Sequence, residues 1–352
     1  MKDPRAILVL RFSSIGDIVQ LTSPLKSLRY RFPETRVDII TLDDYAELLL
    51  GHPDINRIIH IPREMKYQEL KEIGKMLAAK GYDLIIDLHN VIRSQIIRRQ
   101  FKTIKKVVYK KPRWKRFKLI ELKKNHFPNE FSQRWLYHKC LEKILDNEYQ
   151  VPKSKLVIQK NEQIEIKYFL KKEGLTGSYI TLVPGAAWPQ KTWLVNHYKE
   201  LVNLIINKLG LSIIIIGSGN DRICSAIADN KSTEILDLHG KLDIRKSLAI
   251  ISLGAMTIGS ATGMVHASEA LGVPVAMIMG PTNAQTGGGI SLDSSVVIEK
   301  DIWCRPCSQN GKRPCYRSHQ YCMTEISTED VHRAVLGVLA RLNISGFLYM
   351  NS

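Results

Sequence analysis

Long apolar runs are missing from this 352-residue chain: the longest are short and β-like, such as 211–217. A bilayer-spanning helix needs roughly 18 or more in a row, so no membrane-spanning segment is expected. A secretory leader is not expected either, because the apolar run Ala6–Leu10 gives way at once to Arg11 and then Asp17. A cytoplasmic protein is therefore expected. There is no fixed-period repeat, and no low-complexity tract apart from one basic segment, which excludes solenoids and propellers. No GxGxxG follows the first predicted strand, so the dinucleotide fingerprint is absent, and no GxxxxGK[ST] occurs anywhere, which excludes a P-loop.

Acid is the local scarcity with most consequence. Between Arg93 and Lys124, fourteen Lys or Arg stand against the single Glu121, a net of +13 within a formal total of +17. The partner of that segment should be anionic. Nucleic acid, an acidic lipid surface and a phosphorylated substrate all qualify, and the interleaved Phe101, Tyr109, Trp114 and Phe117 suit any of them. A solvated basic loop and helix face is the plain alternative.

What is present, 44% apolar and 24% charged residues, is the profile of a globular chain long enough for two domains with cores of their own. Short β-branched runs alternate with helical patterns. Strands are expected over 6–12, 36–42, 56–61 and 83–88, with helices over 17–32 and 66–80. A helix capped by Asn129 should run to about Leu145, and 147–155, with Pro152, reads as a linker. A second series follows, with strands over 179–183, 211–217, 235–238, 256–259, 273–279 and 295–299. Its helices lie near 196–208, 221–229, 245–252 and 263–271. A last amphipathic helix over 328–342 is opened by the capping-box-like Ser327-Thr328-Glu329-Asp330. The βαβα order implies two parallel, doubly wound α/β domains, in which ligand sites lie just after strands.

Four strand ends carry candidate chemistry. The first runs into Ser13-Ser14-Ile15-Gly16-Asp17, where an acid in the first helical turn is also what orphan N–H groups favour on their own. The strand ending at Val183 runs into Pro184-Gly185-Ala186-Ala187-Trp188-Pro189-Gln190-Lys191-Thr192-Trp193, presenting a lysine suited to a phosphate. The strand 256–259 leads to Thr262-Gly263 at a helix start, whose free N–H groups can hold a diphosphate, with His266 one turn on. Finally, Gly280-Pro281-Thr282 precedes Gly287-Gly288-Gly289, a loop able to approach a ligand closely.

Taken in order, SSxGD, PGAxWPxKxW, TGxxH with EALGVP, and GPT resemble the ADP-heptose lipopolysaccharide heptosyltransferases of glycosyltransferase family 9. The resemblance covers about 6–340. It implies an α/β GT-B fold, two Rossmann-like doubly wound domains facing a central cleft. The acceptor-binding domain would be 1–155, with the basic segment 93–124. The nucleotide-sugar domain would be 156–326, with a Cys-rich loop at 303–322, and the helix in 327–352 would pack back toward the first domain. It further implies inverting transfer of heptose from ADP-heptose to the lipopolysaccharide inner core, with Asp17 as general base and no cofactor required for catalysis. Gly185, Lys191, Asp221, Thr262, Gly263 and His266 would bind the donor. Ser13, Ser14, Gly16 and Arg93 would face the anionic lipopolysaccharide core acceptor. The basic segment would touch the anionic cytoplasmic face of the inner membrane, as a peripheral protein does, and nucleic acid is not expected as a partner.

This chain departs from the family's pattern at three places. Ala261 stands where an Asp usually precedes Thr-Gly, Ala186 and Ala187 replace hydroxyl residues, and Leu194 replaces a common proline. Ala261 leaves room for another nucleotide sugar or a protein acceptor. A non-catalytic nucleic-acid or anionic-surface binding protein on the same scaffold is the reading of another class, and the retained Asp17 and Lys191 speak against it.

Cys140 and Cys224 fall in helical patterns as buried thiols. Cys304, Cys307, Cys315 and Cys322 form C-x2-C-x7-C-x6-C in a loop rich in Arg, Pro and Gly. Four thiolates so spaced can close a tetrahedral structural zinc or iron site, and cytoplasmic residence disfavours disulfides. Reduced thiols or disulfides are the alternatives. The resemblance adds that related heptosyltransferases acting on autotransporters use four Cys for structural iron.

Overall fold

The computed structural model describes residues 3–145, 150–229 and 232–342, so part of the expected linker, 147–149, and the chain beyond 342 lie outside the described residues. The chain divides into two compact units, 1–112 with 133–157, and 113–132 with 158–352.

The first unit contains β1 (Ala6–Leu10), α1 (Ile15–Arg31), β2 (Arg36–Leu42), α2 (Asp43–Ala46), β3 (Arg57–Ile61), α3 (Tyr67–Ala78), β4 (Leu84–Asp87), α4 (Ile92–Arg99) and β5 (Lys105–Val108). After α5 (Arg113–Glu121), which belongs to the second unit, α6 (Gln133–Leu141) completes it. The sheet order is β3-β2-β1-β4-β5 and every pairing is parallel. β1 is central and buried along its whole length, which is why AILVL carries no polar alternation. On one face Leu8, Leu10 and Ile85 pack with Leu70, Leu77, Ile96, Ile97 and Phe101 of the helical layer. Chain order reverses between β1 and β4, and such a reversal opens a crevice at the carboxyl ends of the two strands.

The second unit runs α7 (Lys160–Lys172), β6 (Tyr179–Val183), α8 (Val195–Leu209), β7 (Ser212–Ile215), α9 (Arg222–Ala228), β8 (Ile235–Asp237), α10 (Ile244–Leu253), β9 (Met256–Ser260), α11 (Gly263–Ala270), β10 (Val275–Ile278), β11 (Val296–Ile298), α12 (Tyr321–Thr324) and α13 (Thr328–Arg341). Its all-parallel sheet has the order β11-β10-β9-β6-β7-β8, with the reversal between β6 and β9. One face is covered by α8, α9 and α13, the other by α7, α10 and α11. Among the described residues no helix is long and apolar enough to cross a membrane.

One expectation about domain limits differs from this arrangement. The basic segment is divided: 113–132 belongs to the second unit, where Lys123, just after α5, donates to Cys304 O of the Cys-rich loop. α13 opens on the capping box Ser327/Asp330, and its Val331, Val335, Val338 and Leu339 are buried in the second unit's own core against α8, β10 and β11. The remainder of the expected C-terminal segment, 343–352, lies outside the described residues. The helix expected from Asn129 begins only at Gln133, and the charged α7 and the short β5 went unread.

Candidate active site

In the first unit the functional turn follows β1. Ser14 caps α1 and Asp17 sits three residues in, so its carboxylate reaches back in a capping box, Oδ2 accepting from the Ser14 backbone N–H at 3.3 Å and from the Ser14 hydroxyl at 3.2 Å. The mundane role expected of an N-terminal acid is thus present, but it is not the whole environment. Arg11, the last polar group before the turn, has its side chain 6% exposed and places Nη2 at 2.6 Å from Asp17 Oδ2. The same guanidinium donates through Nε to Ser13 O at 2.7 Å and through Nη1 to Leu88 O at 2.6 Å. On the other side, Tyr137 of α6 donates its hydroxyl to Asp17 Oδ1 at 3.3 Å. Oδ2 is therefore saturated, whereas Oδ1 accepts one hydrogen bond and has lone-pair capacity left.

Burial pushes the Asp17 carboxyl up, but Arg11 and the two Ser14 bonds outweigh it and hold its pKa below the ordinary 3.8. The carboxylate is ionised at any physiological pH. Beyond β4, Asp87 is fully buried and shapes the next turn, with Oδ1 accepting from the N–H groups of His89 and Asn90 and Oδ2 paired with Arg98 at 2.7 Å. That turn places His89 Nδ1 to accept from the Phe12 N–H at 3.3 Å. Burial, then Arg11 and Lys111, push His89 down to about 3, so it is neutral. Arg93 stands over the Phe12 ring at 5.8 Å, which brings it beside the β1–α1 turn. Its Nη2 donates to Arg63 O, so part of its charge is already engaged by backbone.

The second unit carries the other predicted residues at the carboxyl ends of β6, β7 and β9. Gly185 closes against Asp221: a Cβ there would lie 2.5 Å from the Asp221 Cγ, so only glycine lets the two loops meet. Asp221 caps α9 and accepts from the Ser218 N–H and hydroxyl at 2.7 and 3.0 Å. Thr262 caps α11 with extended backbone, and its Oγ1 is buried with no hydrogen-bond partner among the described residues. Gly263 is the first helical residue and His266 stands one turn on, near Gly288 of the glycine loop. Ala261 is buried in the apolar cluster with Val265 and Met279, so the site of the family's usual carboxylate is filled by packing here.

Lys191 lies in the short turn after Trp188, and burial pushes its ammonium down to about 8. The Cys-rich loop covers its stem: a Cβ on Gly311, whose φ is +85°, would come within 2.4 Å of Lys191 Cγ. That loop braces the loops after β6 and β10 together. Gln320 Nε2 donates to Gln190 O, the Cys307 N–H to Pro281 O, and Gln309 Nε2 to Thr286 O. Arg305, between the first two cysteines, donates to the carbonyl oxygens of Met279, Gly280, Thr282 and Lys300 and pairs with Glu299. All six cysteines are free thiols, and Cys304, Cys307, Cys315 and Cys322 line one small cavity. Burial raises the Cys307 thiol, with Cys304 and Cys315 adding to it. Among the described residues, no three His, Cys, Asp or Glu side chains are yet drawn together as metal ligands.

Arg11, Tyr137, His89 and Arg305 were not singled out from sequence. Arg11 alone left a signal, a charge at the end of an otherwise apolar strand.

The family model described as glycosyltransferase family 9 (heptosyltransferase) matches residues 70–316. Lipooligosaccharide heptosyltransferase 2 of Haemophilus influenzae is 24% identical over 311 residues, covering 83% of this chain and 88% of that protein. A family 9 glycosyl transferase of Veillonella parvula superposes with a TM-score of 0.81 at 18% identity, over 96% of this chain and 98% of the other. The ADP-heptose lipopolysaccharide heptosyltransferase II of Escherichia coli gives 0.76 at 19% identity, over 96% and 99%. The two Rossmann-like sheets are thus those of GT-B heptosyltransferases. With the match spanning well over half its length, the chain belongs to glycosyltransferase family 9, the heptosyltransferases, and is a glycosyltransferase.

Proposed function

We propose that this chain transfers heptose from ADP-heptose, with inversion, to a hydroxyl of the anionic lipopolysaccharide inner core, with Asp17 as the base. The observation that carries this reading is the asymmetric Asp17 carboxylate, ionised by Arg11 through one oxygen while the other keeps acceptor capacity. The acceptor oxygen attacks the anomeric carbon, its proton passes to Asp17 Oδ1, and the bond from that carbon to the diphosphate oxygen breaks with its electron pair leaving on ADP. Lys191 and the N–H groups at the start of α11 offset the charge growing on ADP, Thr262 Oγ1 donates its unused hydrogen bond there, and Asp221 takes the ribose. Gly185 lets the diphosphate approach backbone, and His266 lies beside it.

The basic segment supports an anionic partner, acceptor phosphates or an anionic membrane surface, and so a peripheral cytoplasmic location. The donor chemistry of the four-Cys loop suits a structural zinc or iron ion, with Cys304, Cys307, Cys315 and Cys322, which line one cavity, as its proposed ligands. Such an ion would hold the loop over Lys191 and would take no part in transfer.

Calorimetry with ADP, ADP-heptose and UDP-sugars, and elemental analysis of the same sample, test the donor and the metal. Selective ADP-heptose binding is expected, with one metal ion per chain. Preference for a UDP-sugar would move the donor assignment to the reading that Ala261 favours, and metal-free protein with four titratable thiols would remove the ion. Asp17→Asn should abolish transfer and leave ADP affinity nearly unchanged; strong residual turnover would end the base assignment.

A further inference from the structure

α5 carries apolar side chains on more than one face. Leu119 and Ile120 are buried, while Trp114 is 64% and Phe117 46% exposed; on a helix that turns roughly 100° per residue Trp114 lies well away from both buried residues and Phe117 borders Ile120. The two exposed rings stack at 5.3 Å with 9° between their planes, and Lys118 Nζ stands 5.5 Å over Trp114. Leu122, half exposed, follows at once.

Next to this helix is a second exposed pair, Trp303 and Tyr316, in an edge-on contact with Arg317 over the Trp303 ring. Lys123, just after α5, ties the helix to the loop that carries this second pair, donating to Ile120 O, Cys304 O and Pro306 O, each at 2.8 Å. Arg313 meanwhile takes both oxygens of Glu121. That ion pair engages the one acid of the segment, leaving a surface of large rings set among Arg113, Lys115, Lys118 and Lys124.

Exposed tryptophan and tyrosine rimmed by lysine and arginine match the headgroup level of a bilayer, where an amphipathic ring is half wet and half apolar and the leaflet is negative. Water-facing stacked rings on a helix whose other face is already packed have no folding role to explain them. We propose that this face of the second unit docks on an anionic bilayer by inserting Trp114, Phe117 and Trp303 between headgroups while the surrounding lysines and arginines pair with lipid phosphates. The proposal rests on the anionic-surface contact inferred above and adds an apolar component to it.

The test uses the full chain and vesicles of phosphatidylcholine with or without phosphatidylglycerol, read by co-sedimentation and by quenching of tryptophan fluorescence with brominated lipid. Wild type should bind the anionic vesicles and be quenched. Trp114→Ala with Phe117→Ala retains every charge, and it should need about tenfold more anionic lipid for half-binding, ~1.4 kcal/mol. Trp303→Ala, made separately on another segment, should weaken binding in the same direction, and unchanged thermal midpoints would show that all variants are folded. If the variants bind like wild type and wild type is not quenched, the rings do not insert, and binding that salt removes would leave the charge-only contact standing. If wild type ignores anionic vesicles and binds RNA instead, both the insertion and the membrane contact fall.

Discussion

Raising the pH from 7 to 9 should weaken ADP binding about tenfold. The perturbed group is Lys191, whose ammonium is pushed down to about 8 by burial beneath the Cys-rich loop. A lysine of that pKa is about nine-tenths charged at pH 7 and about one-tenth at pH 9, so a site that needs the charged form loses roughly 1.4 kcal/mol over the interval. Binding a diphosphate restores the charge, so each binding event should take up about half a proton at pH 8 and close to one at pH 9. Titration calorimetry of ADP in two buffers of different ionisation enthalpy reads both quantities. Lys191→Arg keeps its charge throughout and should flatten the pH profile, whatever it costs in absolute affinity. Affinity that stays level to pH 9 with no buffer dependence would refute the argument, because either the ammonium is not buried in solution or it does not meet the phosphates.

Two further perturbations separate the parts of the site. Arg11→Met removes the ion pair that outweighs burial at Asp17, so the acid limb of the kcat/KM profile should move up from below the ordinary 3.8 into the measurable range. The sign follows from the wild-type pKa being depressed: Asp17 adds stability at neutral pH that is lost as pH falls through its folded pKa. With the pair gone that contribution goes too, and with Ser13 O and Leu88 O orphaned the fold should lose about 2–3 kcal/mol, discounted because Asp17 keeps a third of its side chain in water. A lower melting temperature with an unshifted limb would show that Arg11 is structural only. Gly311→Ala adds a methyl group onto the Lys191 stem at a left-handed position, costing roughly 1–2 kcal/mol in backbone alone. It should weaken ADP binding more than transfer at saturating donor, and an unchanged ADP affinity would mean that the loop does not set Lys191.

Sequence made the sheets legible because parallel strands buried on both faces read as continuous apolar runs, and β6 falls where it was expected, over Tyr179–Val183. The misread elements lack that signal. α7 buries only Ile166 and Leu170 and exposes Ile164 and Tyr168, so its apolar period is too thin to stand out from its charges. β5 is an edge strand of Lys105-Lys106-Val107-Val108 inside a basic tract, half of it pointing to water. The division of the basic segment between two units was illegible for another reason: what holds α5 in the second unit is a lysine bonded to carbonyl oxygens some 180 residues away.

The same contrast runs through the site. Residues named in advance, Asp17, Lys191, Gly185 and Thr262, sit in the loops and first helical turns that follow strands, where short-range pattern and chemistry coincide. Those that went unseen act by filling backbone acceptors. Arg11 ties Ser13 O to Leu88 O before it reaches Asp17, and Arg305 gathers four carbonyl oxygens from the loops around Gly280. A guanidinium has five donors in a fixed fork, so one buried arginine can hold several loops that no apolar core reaches. The consequence is a division of labour between the two units. In the first, an arginine sets the charge of Asp17, the proposed base, directly. In the second, an arginine and the Cys-rich loop hold the lysine's surroundings, and the charge state of Lys191 follows from how closely that loop covers it. A weakened loop should therefore raise the Lys191 pKa toward that of a free lysine and loosen its placement together, changes that the proton uptake on ADP binding reports separately from the affinity.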